Sequence, residues 1–176
     1  GVETKRFNQL IENQITKKNE EVNLKLESVK FVLNLNNLTV GLKSESPMVV
    51  FEDKKIQLKK IKTNFSLISF LKKEFSVINL LIETNENKLK DIISIIRIYK
   101  NTPQIFILNK FVNDGSLKAT INLNFDDKGK INKDYNVEGT VKNAKIKLLN
   151  QKQINNVNFN FVIEDKKYSI KNTTLN

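Results

Sequence analysis

The chain of 176 residues contains no cysteine and no histidine. Without cysteine there is no disulfide framework and no thiol chemistry, and either redox compartment suits the chain. Without histidine, Ser-His-Asp and Cys-His catalysis are excluded, together with the commonest zinc ligand. Arginine is confined to Arg6 and Arg97, although phosphate and base-edge recognition lean on its planar fork. No run of 18 apolar residues occurs, so these residues hold no transmembrane helix, and no signal-peptide pattern is visible. Gly115, Gly129 and Gly139 stand alone and build no phosphate loop. Ser44, Ser46, Ser66 and Ser69 lack a nucleophile-elbow context. The acidic pairs Glu20-Glu21, Glu52-Asp53, Asp126-Asp127 and Glu164-Asp165 lie near lysines in expected turns or helix ends. Adjacency in a turn does not set two carboxylates across a cleft. These absences predict no catalytic centre, no metal site and no cofactor.

What is present is charge and alternation. Lysine and arginine total 30 against 19 acidic residues, a net charge of +11. Such a balance points to nucleic acid or an anionic membrane. The lysines, however, are spread along the polar parity of the strands, which is the pattern of a solvated face. Heavy use of Lys, Asn and Ile is also what codon bias in an AT-rich genome produces. The length suffices for one domain with a real core.

Residues 115–170 carry the strongest pattern. Leu117, Ala119, Ile121, Leu123 and Phe125 alternate with polar residues, the period-two repeat of a strand with one apolar face. Asp126-Asp127-Lys128-Gly129 reads as a turn. Ile131, Tyr135, Val137, Gly139 and Val141 continue on odd positions, and Ala144, Ile146 and Leu148 on even ones, so a bulge is expected near Lys142-Asn143. Val157, Phe159, Phe161 and Ile163 predict a further strand, and Tyr168 and Ile170 another. Phe159 and Phe161 lack an RNA-recognition motif and are assigned to the apolar face.

Earlier in the chain, Val22, Leu24 and Leu26, then Val29 to Leu35, Leu38 to Leu42, Met48 to Phe51 and Ile56 to Phe65 read as strands. A parity shift falls at Lys59-Lys60, and Pro47 ends a ladder. Residues 66–71 suggest one helical turn. Phe75 to Ile82 resume the strand pattern. Two segments are helical. Residues 3–19 place Phe7, Leu10, Ile11 and Ile15 on one stripe. Residues 88–99 place Leu89, Ile92, Ile93 and Ile96 on one face, widened by Ile95 and Ile98, with Asn87 as the expected N-cap and Lys100 to Pro103 as the stop. Ile105, Ile107 and Phe111 are then expected to lead as strand into the meander.

The fold class is therefore mainly β with a few helices (α+β): an antiparallel meander forming a curved, groove-like sheet, with an N-terminal amphipathic helix and an Ile-rich capping helix. Residues 1–176 parse as a single domain, with no fixed-period repeat and no linker. Two short helices are little cover for a sheet of about nine strands, where four to six is usual. So either the sheet folds over on itself, or part of its apolar face is covered by something else.

The stretch DGSLKATINLNFDDKGKINKDYNVEGTVKNAKIKL (114–148), preceded by an isoleucine-rich helix and by strands that follow an amphipathic first helix, resembles the AsmA-like family of bacterial envelope proteins. The likeness is best over residues 75–176. It implies a non-enzymatic protein of the periplasm, anchored in the inner membrane by a helix preceding Gly1, with more chain beyond Asn176. It implies a phospholipid-carrying groove between inner and outer membranes, with acyl chains as the partner and no nucleic acid. The lining expected for that groove is Leu117, Ala119, Ile121, Leu123, Phe125, Tyr135, Val137, Val141, Phe159 and Phe161. The capping-helix face is expected to be Leu89, Ile92, Ile93 and Ile96. Two other readings stay open: a closed β-sandwich acting as scaffold or adhesion module without lipid, and a basic nucleic-acid-binding domain.

Overall fold

A computed structural model describes residues 22–26, 28–72, 76–99, 101–148 and 152–175. The helix expected over residues 3–19 lies outside them. The strands are β1 (Val22–Lys25), β2 (Ser28–Asn34), β3 (Thr39–Glu45), β4 (Met48–Phe51), β5 (Lys54–Ser66), β6 (Val77–Thr84), β7 (Asn87–Lys88), β8 (Val112–Asn124), β9 (Asn136–Lys147), β10 (Gln153–Glu164) and β11 (Lys167–Thr174). Helix α1 (Leu67–Leu71) joins β5 to β6; α2 (Leu89–Tyr99) and α3 (Pro103–Phe111) join β7 to β8.

All pairings are antiparallel and belong to one open, curved sheet. Its topology is simpler than the number of strands suggests. One edge of β5 takes β4 along Lys54–Gln57 and β3 along Lys60–Ser66. Likewise β1 pairs with β4 and β2 with β3, while β6 and β7 both pair with β8. So β1–β2, β3–β4 and β6–β7 are each one ribbon in two pieces. Ribbons then follow one another across the sheet in chain order, an up-and-down meander with a helical excursion before β8.

The breaks fall opposite one another. Lys25 faces Met48 and Ser28 faces Glu45, so the gap between β1 and β2 meets Ser46-Pro47. Across that gap Ser46 N–H donates to the Lys59 carbonyl (3.0 Å) and Leu58 N–H to the Pro47 carbonyl (2.9 Å). Lys59 is itself the extra residue between the pairs Leu58–Thr84 and Lys60–Glu83. Further shifts occur at Asp114–Ser116, at Asn143 (φ 52°) and at Asn156 (φ 53°). Together they form a crease across the sheet. Each bulge flips side-chain parity and bends its strand, so the same face stays apolar on both sides. The shifts expected at Lys59-Lys60 and Lys142-Asn143 are two points on this crease.

Three local expectations need correction. Residues 103–111 form helix α3, not a strand: Thr102 Oγ1 accepts the Ile105 N–H (3.4 Å) as N-cap, and Pro103 takes the first helical turn, where its missing N–H costs nothing. Asn87 is not an N-cap but a residue of β7 with a buried side chain. Residues 131–135 are loop, not strand, because the Asp126 carboxylate gathers the N–H groups of Lys128 (2.9 Å) and Lys130 (2.8 Å); Ile131 makes an isolated bridge to Phe125.

Candidate functional site

Register assembles the apolar positions into rows that cross the sheet. The longest steps from Val29 to Ser44, Ile61, Ile82, Ile121, Val137, Ile163 and Tyr168, each the cross-strand partner of the next. On one side of it runs Phe31, Leu42, Thr63, Leu80 and Leu123. On the other run Ala119, Gly139, Phe161 and Ile170, and then Leu117, Val141 and Phe159. Leu117, Ala119, Ile121, Leu123, Val137, Val141, Phe159 and Phe161 therefore share one face. Phe125 is half-buried. Tyr135 precedes β9, and its hydroxyl accepts the Lys166 N–H (2.9 Å) at the β10–β11 turn.

Burial along this face is graded. At the helical end Leu117, Ala119, Val141, Ala144, Val157 and Val112 are buried together with Leu89 and Ile93 of α2, while Ile92, Ile105, Phe159 and Phe161 pack around them. A second buried cluster, Leu24, Leu26, Val29, Leu42 and Phe65, lies at the β1–β5 side. Ile61 packs at the edge of the second cluster, and from it the row continues through Ile82, Ile121, Val137 and Ile163; all five are half-buried. Thus α2 lies against the apolar face at one end. Ile96, expected on the same contact, is instead 41% exposed, because the buried run of α2 ends at Ile93 and Ile96 falls one turn beyond.

Two polar side chains hold the broken β6–β7 ribbon in the sheet. Thr84 Oγ1 accepts the Ala119 N–H (2.8 Å) where β6 leaves β8. Asn87 Oδ1 accepts the Gln57 N–H (2.7 Å), while its Nδ2 donates to the carbonyls of Gln57 and Asn85 (both 2.8 Å). Each supplies a hydrogen bond that regular strand pairing would have given. On the apolar face, Thr63 Oγ1 is satisfied by donating to the Asn79 carbonyl (2.7 Å). Ser44 Oγ, fully buried in the long row, has no hydrogen-bond partner among the described residues.

The opposite face is polar. In register it carries Lys30, Lys43, Lys62, Leu81, Asn122, Asn136, Glu164 and Lys167. Amides and hydroxyls pair across strands here, as in Asn64–Asn79 (3.0 Å), Asn136–Glu164 (2.6 Å) and Thr140–Asn160 (2.8 Å). The Lys60 ammonium, 2.5 Å from Glu83, holds that carboxyl below the ordinary glutamate range against a smaller opposing desolvation. Lys43 does the same for Glu45. The Asp114 carboxyl is lowered by the Gly115 N–H (2.8 Å), then by Lys145 (3.1 Å).

Helices α2 and α3 run antiparallel. Ser94 Oγ meets Asn109 Oδ1 (3.3 Å), and three residues on, the Arg97 guanidinium lies over the Phe106 ring (5.1 Å to its centre), three residues back on α3. Between this hairpin and the β4–β5 turn opens a shallow cleft of about 380 Å³ lined by Phe51, Glu52, Lys54, Ser94, Arg97, Asn101 and Asn109. Lys54 in it is engaged by Asp53 (3.0 Å) and Glu52 (3.4 Å). Among the described residues, no three acidic side chains converge to hold a metal ion, and no helix is long and apolar enough to cross a membrane. Against known proteins, the chain matches no family model, no curated protein and no solved structure.

Proposed function

We propose that the half-buried middle of the apolar face is a surface for phospholipid acyl chains, in a non-enzymatic protein of the bacterial envelope that passes lipid between inner and outer membranes. The observation that carries this reading is the row Ile61, Ile82, Ile121, Val137 and Ile163. Five neighbouring ribbons present an aliphatic side chain in register, and none is fully buried. Contiguous apolar surface of this kind is rare without a partner. A row without hydrogen-bonding groups suits a ligand that is bound through its methylenes, each worth about 0.8 kcal/mol when buried. It also favours sliding, because one position on the row resembles the next. The resemblance of residues 75–176 to the AsmA-like family supports the same reading and brings its location, the periplasm with an inner-membrane anchor. The polar outer face suits a body surrounded by water.

The test is uptake of a fluorescent fatty acid by the purified protein, with extraction of co-purifying lipid. Uptake by the unaltered chain, abolished by Ile121→Asp or Val137→Asp but kept in Asn122→Asp on the opposite face, is the expected result. Circular dichroism shows that each variant is folded. No uptake by the unaltered chain, or equal uptake by all variants, overturns the reading.

A further inference from the structure

We infer that the α2–α3 hairpin is a docking surface for an anionic phospholipid bilayer. Helix α3 is apolar in composition, yet none of its residues is buried. Three consecutive residues keep about half their surface exposed: Phe106 is 48% exposed, Ile107 52% and Leu108 47%. Ile96 of α2, 41% exposed, adds to the same hairpin. A helix that merely covered the sheet would turn such residues inward, and only Ile105 of α3 packs against the buried cluster beneath. Phe111 is half-buried.

Charge selects the occupant. Arg97 lies over Phe106, and the Lys110 ammonium sits 6.0 Å from the centre of the Phe111 ring. Both cations are thus held beside the apolar residues. Asp91, the acid of the two helices, is in the first turn of α2, at the other end of that helix from Arg97. Exposed apolar residues edged by cations and aromatics are the composition of a membrane-surface element, whose rings sit at the headgroup level and whose cations meet lipid phosphates. The polar side of the hairpin, with Ser94 and Asn109, lines the cleft, and Arg97 stands at the border between cleft and apolar residues.

This inference does not need the acyl-chain row, and its test separates the two. The full chain is floated with vesicles of phosphatidylcholine alone and of an equal mixture with phosphatidylglycerol. Binding to the mixed vesicles, weakened by salt, is expected. Phe106→Gln with Ile107→Gln lowers the affinity roughly tenfold or more, as for two lost apolar anchors. Lys110→Gln lowers it about fivefold, the equivalent of one cation near an anionic surface. All three positions are exposed, so an unchanged melting temperature accompanies both variants. Ile121→Asp, which removes fatty-acid uptake, leaves vesicle binding intact. Equal binding by the Phe106/Ile107 variant, no binding by the unaltered chain, or conversion of a dimer to a monomer by that variant each overturns the inference, the last by identifying a second copy as the occupant.

Discussion

The ring of Phe161 lies over the backbone of Gly139. A methyl group on Gly139 would come within 2.7 Å of two ring carbons of Phe161 and 2.8 Å from the Lys118 carbonyl oxygen. Glycine therefore leaves the floor of the apolar face open at this point, and an aromatic from the next strand fills it. The neighbouring ring of Phe159, 6.5 Å away between centres and tilted by 55°, continues the surface. Gly139→Ala is expected to destabilise the fold by about 1–3 kcal/mol through overpacking. Adding Phe161→Leu recovers part of the loss but not all, because the Lys118 carbonyl cannot move aside. Urea unfolding of the single and double variants measures both; an Ala variant as stable as the parent would show that the ring shifts freely.

Asn87 completes the ladder on β5 from a distance of thirty residues. Asn87→Ala removes a buried amide and leaves the part-buried Gln57 N–H without its acceptor, and a loss of about 1–3 kcal/mol is expected. Asn87→Asp keeps the acceptor but sets a carboxylate against the Gln57 carbonyl, so it should be less stable at neutral pH than in mild acid. Chemical denaturation at both pH values provides the comparison. An alanine variant within error of the parent would mean that the β6–β7 ribbon holds its place without this amide.

Ser44 gives the opposite sign. Its hydroxyl is buried in an apolar row without a partner among the described residues, and such a group carries an uncompensated desolvation cost. Ser44→Ala is therefore expected to raise stability by about 1 kcal/mol. A fall in the thermal midpoint would reveal a hydrogen bond that the hydroxyl makes in solution.

Ion pairs on the outer face govern the acid limb. The carboxyl pKa values of Glu83, Glu45 and Asp114 are depressed in the fold. A depressed folded-state value adds stability above the unfolded value, about 4.3 for glutamate and 3.9 for aspartate, which is lost as pH falls through the folded value. Stability should thus decline below about pH 4.3, and Glu83→Gln should flatten part of that decline while leaving Lys59 and Lys60 unpaired at neutral pH. Thermal midpoints between neutrality and acid, with and without the substitution, provide the measurement. Parallel curves would show that the pair is screened.

The apolar face was legible because parity is a local property: from Leu117 to Phe125 each residue declares its side by position alone. Bulges were legible for the same reason, as a change of parity at Lys59 and at Asn143. What governs residues 103–111 is also local but ambiguous. Ile105 and Ile107 alternate as a strand would, while Thr102-Pro103 serves equally to stop one helix and to cap the next. Asn87 fails for a different reason. A polar residue before a helix reads as a cap, and its true partner, Gln57, is brought near only by the sheet. The pairing of one long strand with two short ones along the same edge likewise depends on long-range contacts. Ile96 has the right helical angle for the sheet, and only the length of the contact leaves it outside.

The outer edge at β11 bears on fibre formation. All eight of its residues are exposed, and among the described residues only β10 pairs with it; an edge left open is a template for another chain. Asn160 pairs with Lys171 and Asn158 with Thr174, so β11 carries an extra residue there, with Asn172 at φ 53°. The flat part is only Lys167–Lys171, a lysine at each end. Segments that nucleate cross-β stacking run to about six or seven uncharged residues. This edge is too short and too charged to seed such a stack, and deleting Asn172 would join it to the stretch beyond into one uninterrupted template.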